Sequence, residues 1–363
     1  MTTDTTAPGT AAVEDAAVEM FAEKVLGDMA GAYTFFMAGI GDRLGLFKDM
    51  AARGPATSKE LADRNGLAER YVREWLRGMA AAGYLDYDPA TTRYTIPSHR
   101  EPVLAEEAGP AFFGAAFFNF STNFGAGFHQ LLDAFRTGAG IPQDSFDEAQ
   151  EATARFTAPW FEHLLVQEWL PAMPDVQAKL DRGASVCDVG SGQGRGLIRL
   201  ARAFPRSTFV GYDAFEPAVR AARRTAEEAG VAGRVRFEVL DAAQGIPGRH
   251  DVITTFDVLH DSVDPAAILR AIHAALAPDG RYVCVDINCS DRPEENVGPT
   301  AALLYGMSLE YCLPVSLNSA GKGLGTAGLP ESLLTELATQ AGFTSVRRVP
   351  IEEALNNLYE LTP

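Results

Sequence analysis

The chain has 363 residues, 47% of them hydrophobic and 22% charged, which is enough for two domains and a sizeable core. A formal net charge of -17 repels phosphate backbones over the whole surface, which argues against nucleic acid as the main partner and for a small molecule. No apolar run reaches membrane-spanning length, and Met1 to Thr10 lacks the basic and apolar blocks of a signal peptide, so a cytoplasmic location without a membrane partner is expected.

Residues 1-12 are rich in Thr and Ala and are expected to lack order. From Val13 to Met50 apolar residues recur at helical spacing, among them Val18, Phe21, Val25, Met29, Tyr33, Phe36 and Ile40. So many apolar faces need a cover, and a second copy of the chain, giving a homodimer, is the expected one. Residues 57-97 follow a different pattern. Thr57 and Ser58 cap a helix running through Asp63, Gly66 turns, Glu69 to Ala82 forms a second helix, and residues 84-87 and 93-96 pair as strands. This is the order of a winged helix. Arg70, Arg73 and Arg77 lie along its second helix among Glu60, Asp63, Glu69 and Glu74, a pattern of a solvated face more than of a DNA reader.

From Ala111 to Phe128 seven phenylalanines interleave with glycines, suited to core or to the wall of a pocket for an aromatic substrate. Phe117, Phe120, Asn123 and His129 are the candidates for substrate contact there. Residues 136-158 look like a polar connection, and a helix is expected from Pro159 to Met173. The expected division is 13-110 (helical and winged-helix), 111-174 (aromatic linker and pocket wall) and 175-363 (catalytic).

From about residue 175 apolar strands alternate with helices: strands at 185-189, 208-212, 235-239, 251-256 and 281-287, helices at 194-203, 216-229 and 264-277, and two last strands near 345-350 and 355-361. That alternation predicts an α/β fold with a Rossmann-like parallel sheet and its ligand crevice at the strand C-termini. Strand Val186 to Val189 runs into Gly190-Ser191-Gly192-Gln193-Gly194, and a second strand ends at Asp213, 25 residues past Asp188. Glycines there let backbone approach a ligand, and the second acid is placed to accept both hydroxyls of a ribose. The dinucleotide fingerprint fails at its third glycine, where Arg195 stands, and Asp188 at the strand end suits a cationic or zwitterionic ligand better than phosphates. S-adenosyl-L-methionine fits that description. Four cysteines, Cys187, Cys284, Cys289 and Cys312, contain no C-x-x-C pair, so neither a disulfide framework nor a thiolate zinc site is suggested.

Asp188 to Gly194, Asp213, Asp241, Phe256-Asp257-Val258-Leu259-His260-Asp261 and Leu276-Ala277-Pro278-Asp279-Gly280 together resemble the class I S-adenosylmethionine-dependent methyltransferases. With the winged helix in front, the chain looks like the branch of small-molecule O-methyltransferases and their actinobacterial relatives that carries an N-terminal winged-helix dimerisation domain. The resemblance implies that Gly190, Gly192 and Gly194 pass under the methionine part of the cofactor with Asp188 near its ammonium. It further implies that Asp213 holds the ribose diol, with Ala214 next to it also at the cofactor, that Asp241 and Ala242 edge the adenine, and that Phe256 or Asp257 closes the carboxypropyl side.

The same resemblance makes His260, in the pair His260-Asp261, the candidate general base, since an imidazole titrates near neutrality and can take a proton from a hydroxyl. Asn288, Tyr305, Glu310 and Tyr311 are expected to line the acceptor pocket. Relatives that methylate carbon beside an α-keto acid hold iron with an adjacent His-Asp pair, so a metal at His260 and Asp261 is an alternative, though no histidine follows His273 and no metal is expected. A ligand-sensing regulator that binds DNA through the winged helix is the alternative from another class.

Overall fold

The structure, a computed structural model, describes residues 10-114, 116, 128-146, 149-352 and 355-363, with the side chains of 10-16 and 149-150 outside that description. The expected substrate contacts Phe117, Phe120 and Asn123 lie outside the described residues. The chain forms two compact units, 1-121 and 122-363.

In the first unit a long helix, α1 (Thr10–Arg43), is followed by α2 (Leu46–Arg53), α3 (Ser58–Asn65) and α4 (Glu69–Ala81). Thr57 and Glu60 form a reciprocal capping box that starts α3, and Gly66, in the left-handed region at φ 66°, stops it. Two short strands, β1 (Asp86–Asp88) and β2 (Arg93–Thr95), pair antiparallel as the wing, and a bridge from Ala56 to Tyr94 ties the wing back to the start of α3. Leu61, Leu76 and Met79 fill the core of this unit with Phe47 and Trp75, whose rings meet edge to face at 5.2 Å. The N-terminal part of α1 shares none of that core: Val18, Phe21, Val25, Met29, Tyr33 and Phe36 are 42–69% exposed.

The second unit is built on a seven-stranded sheet in the order β5-β4-β3-β6-β7-β9-β8. Its members are β3 (Ser185–Val189), β4 (Thr208–Asp213), β5 (Val235–Val239), β6 (His250–Phe256), β7 (Leu276–Ile287), β8 (Ser345–Val349) and β9 (Asn356–Thr362). The first five run parallel, as the alternation predicts. β9 alone runs against them, pairing antiparallel with both β7 and β8, because the chain returns through a helix, Glu331–Ala341, into β8 and then turns back in a few residues. Side chains alternate between the two faces of the sheet. Val186, Phe209, Val252 and Val283 pack with Phe161 and Trp169 on one face; Cys187, Val210, Ile253 and Tyr282 pack with Leu269 and Ile272 on the other. Cys187 and Cys284 are small buried core residues of these strands.

The stretch 136-158, expected as a polar connection, contains a helix at Ala149–Pro159 that continues as a π-helix through Trp160–Trp169. Its apolar residues are sparse, with Ala152 and Ala154 the buried ones, so polar composition masked it.

A carboxylate-lined crevice at the switch point of the sheet

Strand order reverses at β3 and β6, whose neighbours lie on opposite sides, and in an open α/β sheet that is where a crevice opens at the strand C-termini. A cavity of about 590 Å³ occupies the place, a volume within the range of small-molecule and cofactor sites. Asp188, Gly190, Gly192, Asp213, Ala214, Asp241, Ala242, Phe256, Asp257 and Asp261 all line it. Of the expected cofactor residues Gly194 alone is absent from the lining. At φ 77° it opens the helix Arg195–Ala203, and a side chain there would run into Phe237. Gly192 has a positive φ of 52° with open space where a side chain would project, so the backbone itself faces the cavity.

The carboxyl groups are held individually. Asp213 accepts hydrogen bonds from the backbone N–H groups of Gly192 and Phe215, each at 2.8 Å, one per oxygen, which leaves both oxygens a lone pair for a ligand hydroxyl. Asp188, buried at the end of β3, accepts from the Thr254 hydroxyl at 2.6 Å. Burial pushes its pKa up to about 7, with the Asp213 charge adding to the rise. Asp257, raised by burial to about 7, sits at φ 55°, unusual outside glycine, and is fixed by the Asn356 amide at 2.6 Å. Asp261 is raised by burial to about 6. Asp241 caps the turn after β5 by accepting from Ala243 N–H at 3.0 Å.

His260 is buried, 3% exposed, and is not itself part of the lining; its neighbour Asp261 is. Its Nδ1 lies 2.7 Å from Asp286 Oδ1, on the last turn of β7, and Asp286 also accepts from the backbone N–H groups of Leu259 and Ile287. Burial works to lower the histidine's pKa, but the Asp286 carboxylate, helped by Cys312, outweighs it and holds the imidazole well above 6.5. Ligating atoms of His260, Asp261 and Cys312 lie within 4.8 Å of one another, as do those of Asp257, His260 and Asp286. Asp286, the partner of His260, is the site residue that motif reading did not single out. The signal was an acid at the C-terminal end of an apolar strand, Val283-Cys284-Val285-Asp286.

The expected acceptor residues do not come together. Tyr311 lines the large cavity, held by the Gln143 amide at 3.0 Å and by edge contact with Phe146. Asn288 and Tyr305 line a separate cavity of about 460 Å³. A π-helix at Ser308–Cys312 interrupts the helix that carries Tyr305, adding a residue to the turn and changing the face presented beyond it. Glu310 lines neither cavity; its Oε1 is buried without a partner and burial raises the carboxyl to about 7. His129 is exposed on the helix Phe128–Thr137 and lines no cavity described here.

Comparison with known proteins adds two family matches, an Rv2258c-like winged HTH domain over residues 32–106 and a methyltransferase domain over residues 180–311. The chain is 28% identical over 305 residues to the mitomycin biosynthesis 6-O-methyltransferase of Streptomyces lavendulae, covering 79% of this chain and 82% of that one. It is 27% identical over 282 residues to the O-methyltransferase SfmM3 of the same organism, covering 72% and 80%. Among solved structures, the mitomycin 7-O-methyltransferase MmcR superposes with a TM-score of 0.69 at 22% identity, covering 96% of this chain and 99% of that one. The O-methyltransferase NcsB1 from neocarzinostatin biosynthesis, in complex with S-adenosyl-L-homocysteine and 1,4-dihydroxy-2-naphthoic acid, superposes with a TM-score of 0.65 at 22% identity, covering 93% and 98%.

Proposed function

We propose, for a chain that is a class I S-adenosylmethionine-dependent methyltransferase with an N-terminal winged-helix domain, that the methyl group goes to a hydroxyl oxygen of a small, partly aromatic metabolite of secondary metabolism. The observation that carries the reading is the cavity at the switch point, where the glycine turn and the two strand-end acids Asp188 and Asp213 stand together. The residues fit the cofactor on their own chemistry. Asp213 is preset by two backbone N–H groups to accept from a diol, Asp188 is a buried carboxyl beside a backbone cradle, and Ser191 Oγ and Arg195 Nε are buried donors with no acceptor. Asp241 and Ala242 would edge the base, and Phe256 and Asp257 the far side.

When bound, S-adenosylmethionine supplies the methyl electrophile with a good thioether leaving group. The protein's own contribution is alignment, exclusion of water and removal of the acceptor's proton. Asp261 presents the cavity-side carboxyl, and the base is His260 beside it, its Nδ1 against Asp286; since His260 does not line the cavity, the acceptor's proton reaches it by way of Asp261. The oxygen selectivity draws on what the Streptomyces lavendulae relatives are named for, and Tyr311 and Gln143 are the described residues that would meet the acceptor. Labelled S-adenosylmethionine offered with panels of phenols, keto acids and amines tests the assignment: label in phenols supports it, and label confined to amines or to carbon refutes it.

The donor set of His260, Asp261 and Cys312 favours a second reading, metal-assisted methylation at carbon. Stoichiometric bound metal in the purified protein, lost together with activity on chelation, would put it first. The regulator reading is disfavoured by α4, where Arg70 pairs with Glu74 and Arg73 with Glu69, so these cations are neutralised on their own helix. The chain acts on this account as a homodimer that needs no nucleic acid.

A further inference from the structure

Arg195 opens the helix that follows the glycine turn, at the position where a dinucleotide fingerprint would have its third glycine, and it lines the large cavity. Six carboxyl groups line the same cavity, those of Asp188, Asp213, Asp241, Asp257, Asp261 and Asp264, and Arg195 is the one Lys, Arg or His side chain among the described lining residues. Five of these acids accept hydrogen bonds from other groups: Asp188 from Thr254, Asp213 from the Gly192 and Phe215 N–H groups, Asp241 from the Ala243 N–H, Asp257 from Asn356 and Asp264 from the Ala267 N–H. Arg195 has none of them. Its Nε is buried with no hydrogen-bond partner and no carboxylate of the described residues in ion-pair range; Arg199, one turn further on, also has a buried Nε without a hydrogen bond, but it lies 3.4 Å from Glu162 and does not line the cavity. A buried guanidinium donor without an acceptor is costly, and here it faces a ligand cavity.

We propose that Arg195 receives the carboxylate of the cofactor's methionine moiety. The inference rests on the cofactor reading above and adds to it the anionic half of a charge match. The methionine end is a zwitterion: Asp188 at the tip of β3 offers a carboxylate to its ammonium, and Arg195, across the glycine turn, offers planar N–H donors to its carboxylate. The positive end of the helix Arg195–Ala203 adds to the field at the same place. An all-acid cavity would attract the ammonium and the sulfonium and repel the carboxylate; one arginine removes that conflict.

The test uses the full chain and two probes, S-adenosyl-L-homocysteine and its decarboxylated analogue, titrated calorimetrically into the unsubstituted protein and into Arg195→Leu and Arg195→Lys. The proposal expects the unsubstituted protein to prefer the carboxylate-bearing ligand by about tenfold to hundredfold. Arg195→Leu should lose that preference through weaker binding of the carboxylate-bearing ligand alone, and Arg195→Lys should retain part of it. Equal loss of both ligands, loss of neither, or a higher acceptor KM with cofactor affinity unchanged would overturn it. If the unsubstituted protein binds neither ligand, the cofactor reading itself fails, and that outcome is distinguishable from the others.

Discussion

Burial of carboxyl groups around a ligand site makes binding a protonation event, and Asp188 is the residue where this shows first. Its pKa of about 7 in the free protein, set mainly by burial, means that it is largely protonated below neutrality. A cationic partner favours the charged form, so binding expels a proton and affinity rises with pH. Between about pH 5.5 and about 7.5, below the titration of the ligand's α-amino group, S-adenosyl-L-homocysteine affinity should climb by up to about tenfold per pH unit. Flat or falling affinity in calorimetry would contradict the role. His260 has the opposite sign. Its pKa is raised by Asp286, so the stabilisation from that pair is full below about 6.5 and is lost as pH rises through the raised folded value. Turnover needs the neutral imidazole, so kcat/KM should rise with pH above 6.5, and Asp286→Asn should move that limb to lower pH. His260→Ala should lower kcat by about 10²–10⁴-fold; a profile indifferent to both substitutions would remove the base assignment. Asp188 and Asp213 were legible in sequence because each ends an apolar strand next to a turn. Asp286 was not tied to His260, because nothing local links residues 26 apart until β6 and β7 lie side by side.

The glycine turn is the element that joins fold to function, and its three positions separate the two. Gly190 and Gly194 have positive φ and face Val258 and Phe237, whereas Gly192 has positive φ and faces open space. Gly194→Ala is therefore expected to cost about 2–5 kcal/mol, a left-handed alanine plus an overpacked core. Gly192→Ala is expected to cost only about 1–2 kcal/mol of stability while weakening S-adenosyl-L-homocysteine binding, because the new methyl group enters the crevice. Denaturant midpoints with unchanged m-values, measured beside binding, check the contrast; equal effects of both substitutions on both quantities would contradict it. Regular elements were readable because period-2 and helical apolar patterns are local. The antiparallel β9, the helix inside 149–159 and the split of Tyr305 from Tyr311 were not. The first depends on how the chain returns to the sheet, the second on a helix with few apolar residues, and the third on a π-turn that shifts the helical face without a marker in the sequence.

The whole molecule carries a helix whose apolar stripe, Val18, Phe21, Val25, Met29, Tyr33 and Phe36, is exposed in the single chain. Such a stripe is costly to leave in water, and a second copy is the partner the proposed function assigns to it. Sedimentation should find a dimer, and Phe21→Glu with Met29→Glu should yield a folded monomer; a monomer without substitution at tens of micromolar would contradict this. Among the described residues no helix is long and apolar enough to cross a membrane. The stripe was visible in sequence as helical spacing, while what covers it belongs to assembly and has no local code. All of these readings depend on one binding event at the sheet's switch point. Calorimetric titration of the purified chain with S-adenosyl-L-homocysteine, beside NAD as a control, tests that event directly. The account predicts saturable one-site binding of the first that Asp213→Ala weakens by about 1–3 kcal/mol, and none of the second. NAD binding in the absence of any S-adenosyl-L-homocysteine heat would contradict it.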